Sequence, residues 1–275
     1  MLTPLVDIGV NLTNSRFDAD RDTVLQRAFE GEHAPLSALL ITGTSIEESR
    51  NAIELCEHYA NQYPERLFAT AGIHPHEASQ FDADSESELR ALARHPSVVA
   101  IGETGLDFNR NFSPATAQER SFAGHIEIAC GVALPLFLHE RDAATRQLDI
   151  LQQHRDQIPQ AVIHCFTGEK SALYGYLDLD LYIGITGWLC DERRGFELQK
   201  LAKEIPLNRL LIETDAPYLL PRTLADKPKN RRCEPHHLSE VLRTLAEHRS
   251  ETEAELATAT AANSRRLFKL PAAIN

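Results

Sequence analysis

VVAIGE (Val98–Glu103), ALPLFLH (Ala133–His139), AVIH (Ala161–His164) and RLLIETD (Arg209–Asp215) are four short apolar runs, each ending on a residue able to bind a metal. Their length and β-branched content read as buried strands, and turn or helix-start chemistry follows each one. A carboxylate or an imidazole is costly inside a core unless it is satisfied. Four of them at one kind of position, the C-terminal tip of a strand, therefore predict a shared site. In a parallel barrel such tips converge on one face, where the chemistry sits. The expected site is a metal centre made of Glu103, His139, His164 and Asp215.

Outward from these runs, strand-like segments recur at Leu5–Val10, Ala38–Thr42, Leu67–Ala71, Val98–Glu103, Leu134–His139, Ala161–His164, Leu181–Ile185 and Leu210–Asp215. Amphipathic stretches lie between them at Arg21–Glu32, Ile46–Gln62, Ser85–His95, Thr116–Gly131, Ala143–Asp156 and Glu192–Glu204, and two more, His236–Arg249 and Thr252–Phe268, follow the last strand. Eight alternations read as an α/β protein of the (β/α)8 TIM-barrel class, a single domain over residues 1–275. The rival is a doubly wound open sheet. That fold gathers its site at one switch point, and no GxGxxG follows the first run.

Composition narrows the function. Hydrophobic residues make up 43% of the chain and charged residues 25%, ordinary values for a globular enzyme. The five cysteines are odd in number and scattered without a CxxC pair, which predicts reduced thiols rather than a zinc ribbon or a disulfide frame. The first residues, MLTPLVDIGVN, lack a basic region followed by a long apolar stretch, and no run approaches the roughly 20 apolar residues of a membrane span. The expectation is a cytoplasmic, monomeric protein. A net charge of −12 weighs against coating nucleic acid over the whole surface. Locally, Arg193-Arg194 and the cluster Lys227, Lys229, Arg231 and Arg232 are either solvated loops or a small basic rim for a few phosphates.

Taken alone, any one of the twelve histidines is more often a surface or hydrogen-bonded residue than a ligand. His33, His58, His95, His154 and His248 sit in helical or loop contexts and read as surface or hydrogen-bonded residues. His139 and His164 differ because each ends an apolar run, where a neutral imidazole can present a ring nitrogen to a metal. Glu213 precedes Asp215 by two residues and so shares its face, one layer deeper. It either orients a ligand or forms a core ion pair.

Seven motifs then carry a resemblance. DIGVNLT (Asp7–Thr13), AGIHPH (Ala71–His76), IGETGLDFNRNF (Ile101–Phe112), FLHERDA (Phe137–Ala143), IHCFTG (Ile163–Gly168), YIGITGWLCDERRG (Tyr182–Gly195) and IETDAPYLLP (Ile212–Pro221) together resemble the TatD family of metal-dependent deoxyribonucleases. The resemblance implies a TIM barrel of the amidohydrolase-like type and divalent-metal-dependent phosphodiester hydrolysis, with 3′→5′ exonuclease action on DNA, single-stranded DNA first, while RNA stays open as an alternative substrate. It implies that Glu103, His139, His164 and Asp215 are metal ligands or their immediate partners, Glu103 bridging two ions, and that His74 handles a substrate phosphate or a proton. Pro75 offers a plainer role for His74, closing a turn, and His76 is read in that plainer way. Three departures stand out. Asp7, Gly9 and Asn11 occupy positions where many relatives have H-x-H, a form shared by the TatD subgroup proper, so the first strand brings no imidazole. Glu140 stands where Cys or Ser is commoner and is expected to point away from the site, and Cys233 replaces Asn ahead of Glu234-Pro235.

The expected chemistry follows. Glu103, His139 and His164 hold the tighter ion, Asp215 positions or deprotonates the attacking water, and His74 and Glu103 complete the catalytic set. Arg193, Arg194, Arg231 and Arg232 grip flanking phosphates without reading sequence. One or two ions are expected, Mg²⁺ first, with Mn²⁺ or Zn²⁺ as alternatives. The rival activity is a metal-dependent ester or amide hydrolase, such as an aminoacyl-tRNA-type deacylase. A barrel that only binds nucleic acid or protein is a third reading, and the intact Glu, His, His and Asp set argues against it.

Overall fold

Short runs of Val, Ile, Leu and Ala between polar amphipathic stretches leave the chain one economical solution, parallel strands buried on both faces with helices connecting them. The computed structural model describes residues 3–31 and 35–272. Expected positions Glu32 and His33 lie outside the described residues. The first half holds β1 (Leu5–Val10), α1 (Arg21–Glu30), β2 (Leu36–Ile41), α2 (Ile46–His58), β3 (Leu67–Ala71), α3 (Ala83–Leu92), β4 (Val98–Asp107) and α4 (Ala115–Val132). The second holds β5 (Leu136–Arg141), α5 (Ala144–His154), β6 (Ala161–Ile163), α6 (Lys170–Asp178), β7 (Tyr182–Ile185), α7 (Phe196–Ala202), β8 (Leu210–Ile212), α8 (Leu238–Glu247) and α9 (Glu253–Phe268). Strand order in the sheet follows chain order from β1 to β8, the (β/α)8 class. No helix among the described residues is long and apolar enough to cross a membrane.

The described residues group into two compact units. One comprises residues up to Ile41, Cys165–Glu169 and those from Ile183 onward. In it β1 pairs in parallel with β2, β7 with β8, and Val10 bridges Ala216 beyond β8. The other comprises Thr42–His164 and Lys170–Tyr182 and carries the parallel pairs β3–β4, β4–β5 and β5–β6. Every residue of β1, β2, β3 and β4 is buried.

Side-chain caps set the starts of α2, α3 and α9. Ser45 accepts from Glu48 N ahead of α2, and Thr252 with Glu255 forms a capping box ahead of α9. Asp82 forms another with Ser85, which is why α3 begins two residues before the expected Ser85. Helix α6 is absent from the sequence reading. Gly175 weakens its helical pattern, and the space its missing side chain leaves is filled by Leu148 of α5, whose Cδ1 would lie 2.6 Å from a Cβ there.

One expectation needs correction. Glu103 and His139 do not end their strands: β4 runs on to Asp107 and β5 to Arg141, whereas β6 and β8 stop short of His164 and Asp215. The cause is local to β4. Its register against β5 shifts between Ile101 and Thr104, and Gly102 and Gly105 adopt φ of +140° and +133°. A Cβ at either would come within 2.1 Å of a carbonyl oxygen on β5, Phe137 O and His139 O respectively. Only glycine permits this approach, and the irregularity re-aims a strand without ending it.

Candidate metal centre

Within one unit the β3 tail, β4, β5 and the residue after β6 bring four predicted residues together. Oε1 of Glu103 lies 2.8 Å from His164 Nε2, 3.0 Å from His139 Nδ1 and 3.3 Å from His74 Nε2. His74 Nε2 and His139 Nδ1 are themselves 3.3 Å apart. Glu103 and His164 are each 6% exposed, so the cluster is withdrawn from bulk water. Burial by itself would raise the Glu103 carboxyl, but the imidazoles of His164 and His74 and hydrogen bonds from His139 and His164 outweigh it and hold the group well below the usual carboxylate range. Burial lowers the His74 imidazole. Burial would lower His139 too, but hydrogen bonding to the carboxylates Asp107 and Glu103 raises it.

These donors fit a divalent cation. A carboxylate oxygen facing several imidazole nitrogens is the donor set of Zn, Mn or Fe sites and is compatible with a magnesium ion shared with water and phosphate. His139 turns Nδ1 to Glu103 at 3.0 Å and Nε2 to Asp107 Oδ2 at 3.6 Å, and a carboxylate behind an imidazole is the arrangement that orients a metal-binding histidine. His74, His139 and Glu103 present ligand atoms all within 4.8 Å of one another. Hydrogen bonding sets His74 apart within this group. Its Nδ1 accepts from His76 N at 3.1 Å, so the proton of the neutral ring sits on Nε2, the atom that faces Glu103. His74 is thereby a donor at the site, and the same contact closes the turn that Pro75 starts.

Two residues that the sequence did not mark support this cluster. Asp107, at the end of β4, is 2% exposed. Its Oδ1 accepts from the backbone N of Asn109 and Arg110, and its Oδ2 lies 2.7 Å from His76 Nε2 and 3.6 Å from His139 Nε2. His76 thus has a carboxylate partner and more than a turn to close. His125, on α4 and fully buried, accepts from Ile73 N through Nε2 at 2.9 Å and donates to Ser121 O through Nδ1 at 2.7 Å. It holds the backbone immediately before His74. Neither residue ends an apolar run, so no local pattern announces it. Glu140 accepts from Ala143 N at 2.7 Å and serves the start of α5.

The other unit holds Asp215. Its backbone is left-handed (φ 57°), its N donates to Gly9 O at 2.9 Å, and its Oδ1 accepts from Asn11 Nδ2 at 2.9 Å. The Asp7–Asn11 segment therefore acts on Asp215 through an amide rather than through imidazoles. Asp7 is fully buried, accepting from Thr214 N and Thr214 Oγ1, and burial pushes its carboxyl up to about 8. Glu213 accepts from Cys165 N, fixing the chain just past His164. Cys233 is fully buried and donates its backbone N to Pro217 O at 3.1 Å.

The basic residues separate into two groups. Arg193 and Arg194 are more than half exposed and converge on Asp191, at 3.2 and 3.1 Å. Arg231 is exposed. Arg232 is a correction to the expected phosphate set: at 7% exposure it bonds Asp20, Glu234 and the carbonyl of Arg16, and Glu234 also takes Arg27 at 2.7 Å. Its guanidinium belongs to a structural ion-pair network.

The family model described as TatD related DNase matches residues 6–269. A Citrobacter koseri protein named 3′-5′ ssDNA/RNA exonuclease TatD is 50% identical over 264 residues, covering 96% of this chain and 98% of its own length. Its Escherichia coli K12 namesake is 49% identical, with 96% and 98% covered. Among solved structures, the TatD homolog YJJV of Escherichia coli K12 superposes with a TM-score of 0.87 at 26% identity, over 98% of this chain and all of that one. A TatD family hydrolase from Entamoeba histolytica gives 0.86 at 27% identity, over 98% and 99%. An N-acetyl-D-glucosamine-6-phosphate deacetylase from Mycobacterium smegmatis, at 12% identity and a TM-score of 0.63, shares the fold alone. The chain belongs to the TatD-related DNase family.

Proposed function

We propose that this protein is a divalent-metal-dependent 3′→5′ exonuclease acting on single-stranded DNA and RNA, working as one catalytic domain over residues 1–275. The observation that carries the reading is the convergence of three imidazole nitrogens on one Glu103 oxygen, at 2.8 to 3.3 Å. Relatives about half identical over nearly the whole chain bear the name of that activity.

In this reading Glu103, His139 and His164 would hold the cation, and Asp215 would position, or take a proton from, the attacking water. A bound divalent cation supplies a more acidic water and neutralises charge on phosphate oxygens. Mg²⁺ is the ion assigned, with Mn²⁺ and Zn²⁺ as alternatives. The protein's own residues do the rest. His74 donates from Nε2–H to a phosphate oxygen, replacing the bond it makes to Glu103. Asp107 keeps a negative charge behind His139, with burial opposing and hydrogen bonds from His139, His76 and the Arg110 backbone prevailing. Arg193, Arg194 and Arg231 supply sequence-independent contacts to flanking phosphates. The enzyme is assigned to the cytoplasm as a monomer; five cysteines without a disulfide are in keeping with a reducing compartment.

The test is a digestion of single-stranded DNA and RNA labelled at either end, alongside a panel of acyl esters. Stepwise shortening from the 3′ end, abolished by EDTA and restored by Mg²⁺ or Mn²⁺, is the expected result. Turnover of esters with both nucleic acids intact would replace the nuclease by the acyl-hydrolase reading.

A further inference from the structure

Beyond the metal centre, the unit that contains β7 and β8 carries a cavity of about 230 Å³ between the turn after β7 and the loop after β8. Its floor is rigid. A Cβ on Gly187 would stand 2.1 Å from Leu219 O, so only glycine lets the two segments meet, and Leu219 itself is left-handed (φ 50°).

Five cations line it: Arg193, Arg194, Arg222, Lys227 and Arg231. One buried carboxylate arranges three of them, since Asp191 is 3% exposed and takes Arg193 at 3.2 Å, Arg194 at 3.1 Å and Arg222 at 3.7 Å. Glu192 takes Arg222 again at 3.0 Å. Five positive charges against two negative ones leave a local excess of three in a chain of net charge −12. Arg193 and Arg194 use only part of their five-donor forks on Asp191 and keep N–H groups for another anion. The Arg231 side chain makes no hydrogen bond or ion pair among the described residues.

An indole stands in the same wall. Trp188 is the chain's single tryptophan, and the Arg194 guanidinium lies 4.4 Å from its ring centroid. An acidic peptide would need the cations but not this flat layer. A nucleic-acid strand uses both, phosphates on cations and a base face on an aromatic or guanidinium plane.

We propose that this cavity is a nucleotide subsite, in which one unpaired base lies against the Trp188–Arg194 layer while its phosphates are taken by Arg193, Arg231 and Lys227. The proposal rests on the nuclease reading above and adds to it a cause of single-strand selection, because a paired and stacked base cannot reach the layer. A base held there is read by its face and not by its edges, so the subsite tolerates any sequence.

The test uses the full chain in EDTA, where cleavage is absent, and follows fluorescence from Trp188. A single-stranded DNA decamer is expected to change the emission saturably. A duplex of the same sequence, an abasic decamer and polyglutamate are expected to leave it unchanged. By anisotropy of a labelled decamer, Trp188→Phe retains affinity and Trp188→Ala loses about tenfold or more. Arg231→Ala lowers the slope of log affinity against log salt by about 0.7, the value for one contact to a single strand. Equal responses to the abasic strand or polyglutamate would reduce the cavity to a general anion patch and overturn the proposal. So would decamer binding without a Trp188 response, or no decamer binding at all. Failure of digestion with metal present would instead strike the nuclease reading, so the two are told apart.

Discussion

His164 Nε2 lies 2.8 Å from Glu103 Oε1, joining the residue that follows β6 to a glutamate in the middle of β4. Sixty-one residues of chain separate them, and the contact is buried. A neutral imidazole and a carboxylate held this way are partners for each other and ready donors for a cation, which is the basis of the metal assignment.

If His74 is a donor and not a ligand, its loss separates binding from turnover. His74→Ala is expected to lower kcat on single-stranded DNA by about 100-fold or more, the usual worth of a well-placed acid or hydrogen-bond donor. Manganese affinity by calorimetry should stay within a few-fold of wild type. Loss of metal binding in proportion to activity would move His74 into the ligand set.

Asp107 faces His139 Nε2 at 3.6 Å while fixed by two backbone N–H groups and His76. Removing its charge in Asp107→Asn should weaken manganese binding by roughly 10- to 100-fold, typical of a carboxylate behind a metal-binding histidine. An affinity equal to wild type would make the Asp107–His76 pair a turn-stabilising contact and nothing more.

His125 predicts an acid-sensitive fold. Burial pushes its imidazole down to about 4, against about 6.5 for an unfolded chain. The folded state therefore prefers the neutral ring, whose Nε2 accepts from Ile73 N. This contribution is complete above the unfolded value and is lost as pH falls from 6.5 toward 4. Between pH 7 and pH 5 it amounts to about 2 kcal/mol. Denaturant titrations at both pH values should show a steeper loss in wild type than in His125→Gln, which cannot titrate there. Parallel losses in the two proteins would refute the assignment.

Arg232 should matter to stability and not to substrate. Deleting it leaves the buried Glu234 with Arg27 and His236 and Asp20 without its closest partner. Arg232→Ala is expected to lose about 3 kcal/mol in thermal or chemical unfolding, with an unchanged salt dependence of DNA binding at a temperature where it is folded. An unaltered melting temperature with a flattened salt dependence would return Arg232 to the phosphate contacts.

Among the described residues the eight strands were legible because β-branched apolar runs recur between amphipathic stretches, and seven of the nine α-helices there were placed near their observed limits. Helix α7 came out shorter than its amphipathic stretch, and α6 escaped because Gly175 interrupts its pattern where Leu148 packs. The true ends of β4 and β5 escaped for a related reason: glycine usually weakens a strand, yet here Gly102 and Gly105 allow β4 to continue past Glu103. Glu103, His139 and His164 were recognisable because each closes an apolar run. Asp107 and His125 were not, because what marks them is a hydrogen-bond partner 31 or 52 residues away, which no spacing rule encodes. Arg232 misled because a run of like charges in sequence says nothing of which member turns inward.

The shared oxygen of Glu103 is the point on which the account turns, and calorimetry of Mn²⁺ binding to wild type and to Glu103→Gln tests it most directly. The glutamine keeps the side chain's shape while removing the charge. The account predicts that wild type binds manganese and that Glu103→Gln, with a circular-dichroism spectrum like that of wild type, neither binds it nor shortens single-stranded DNA. A folded Glu103→Gln protein that binds manganese with wild-type affinity and still degrades the strand would contradict it.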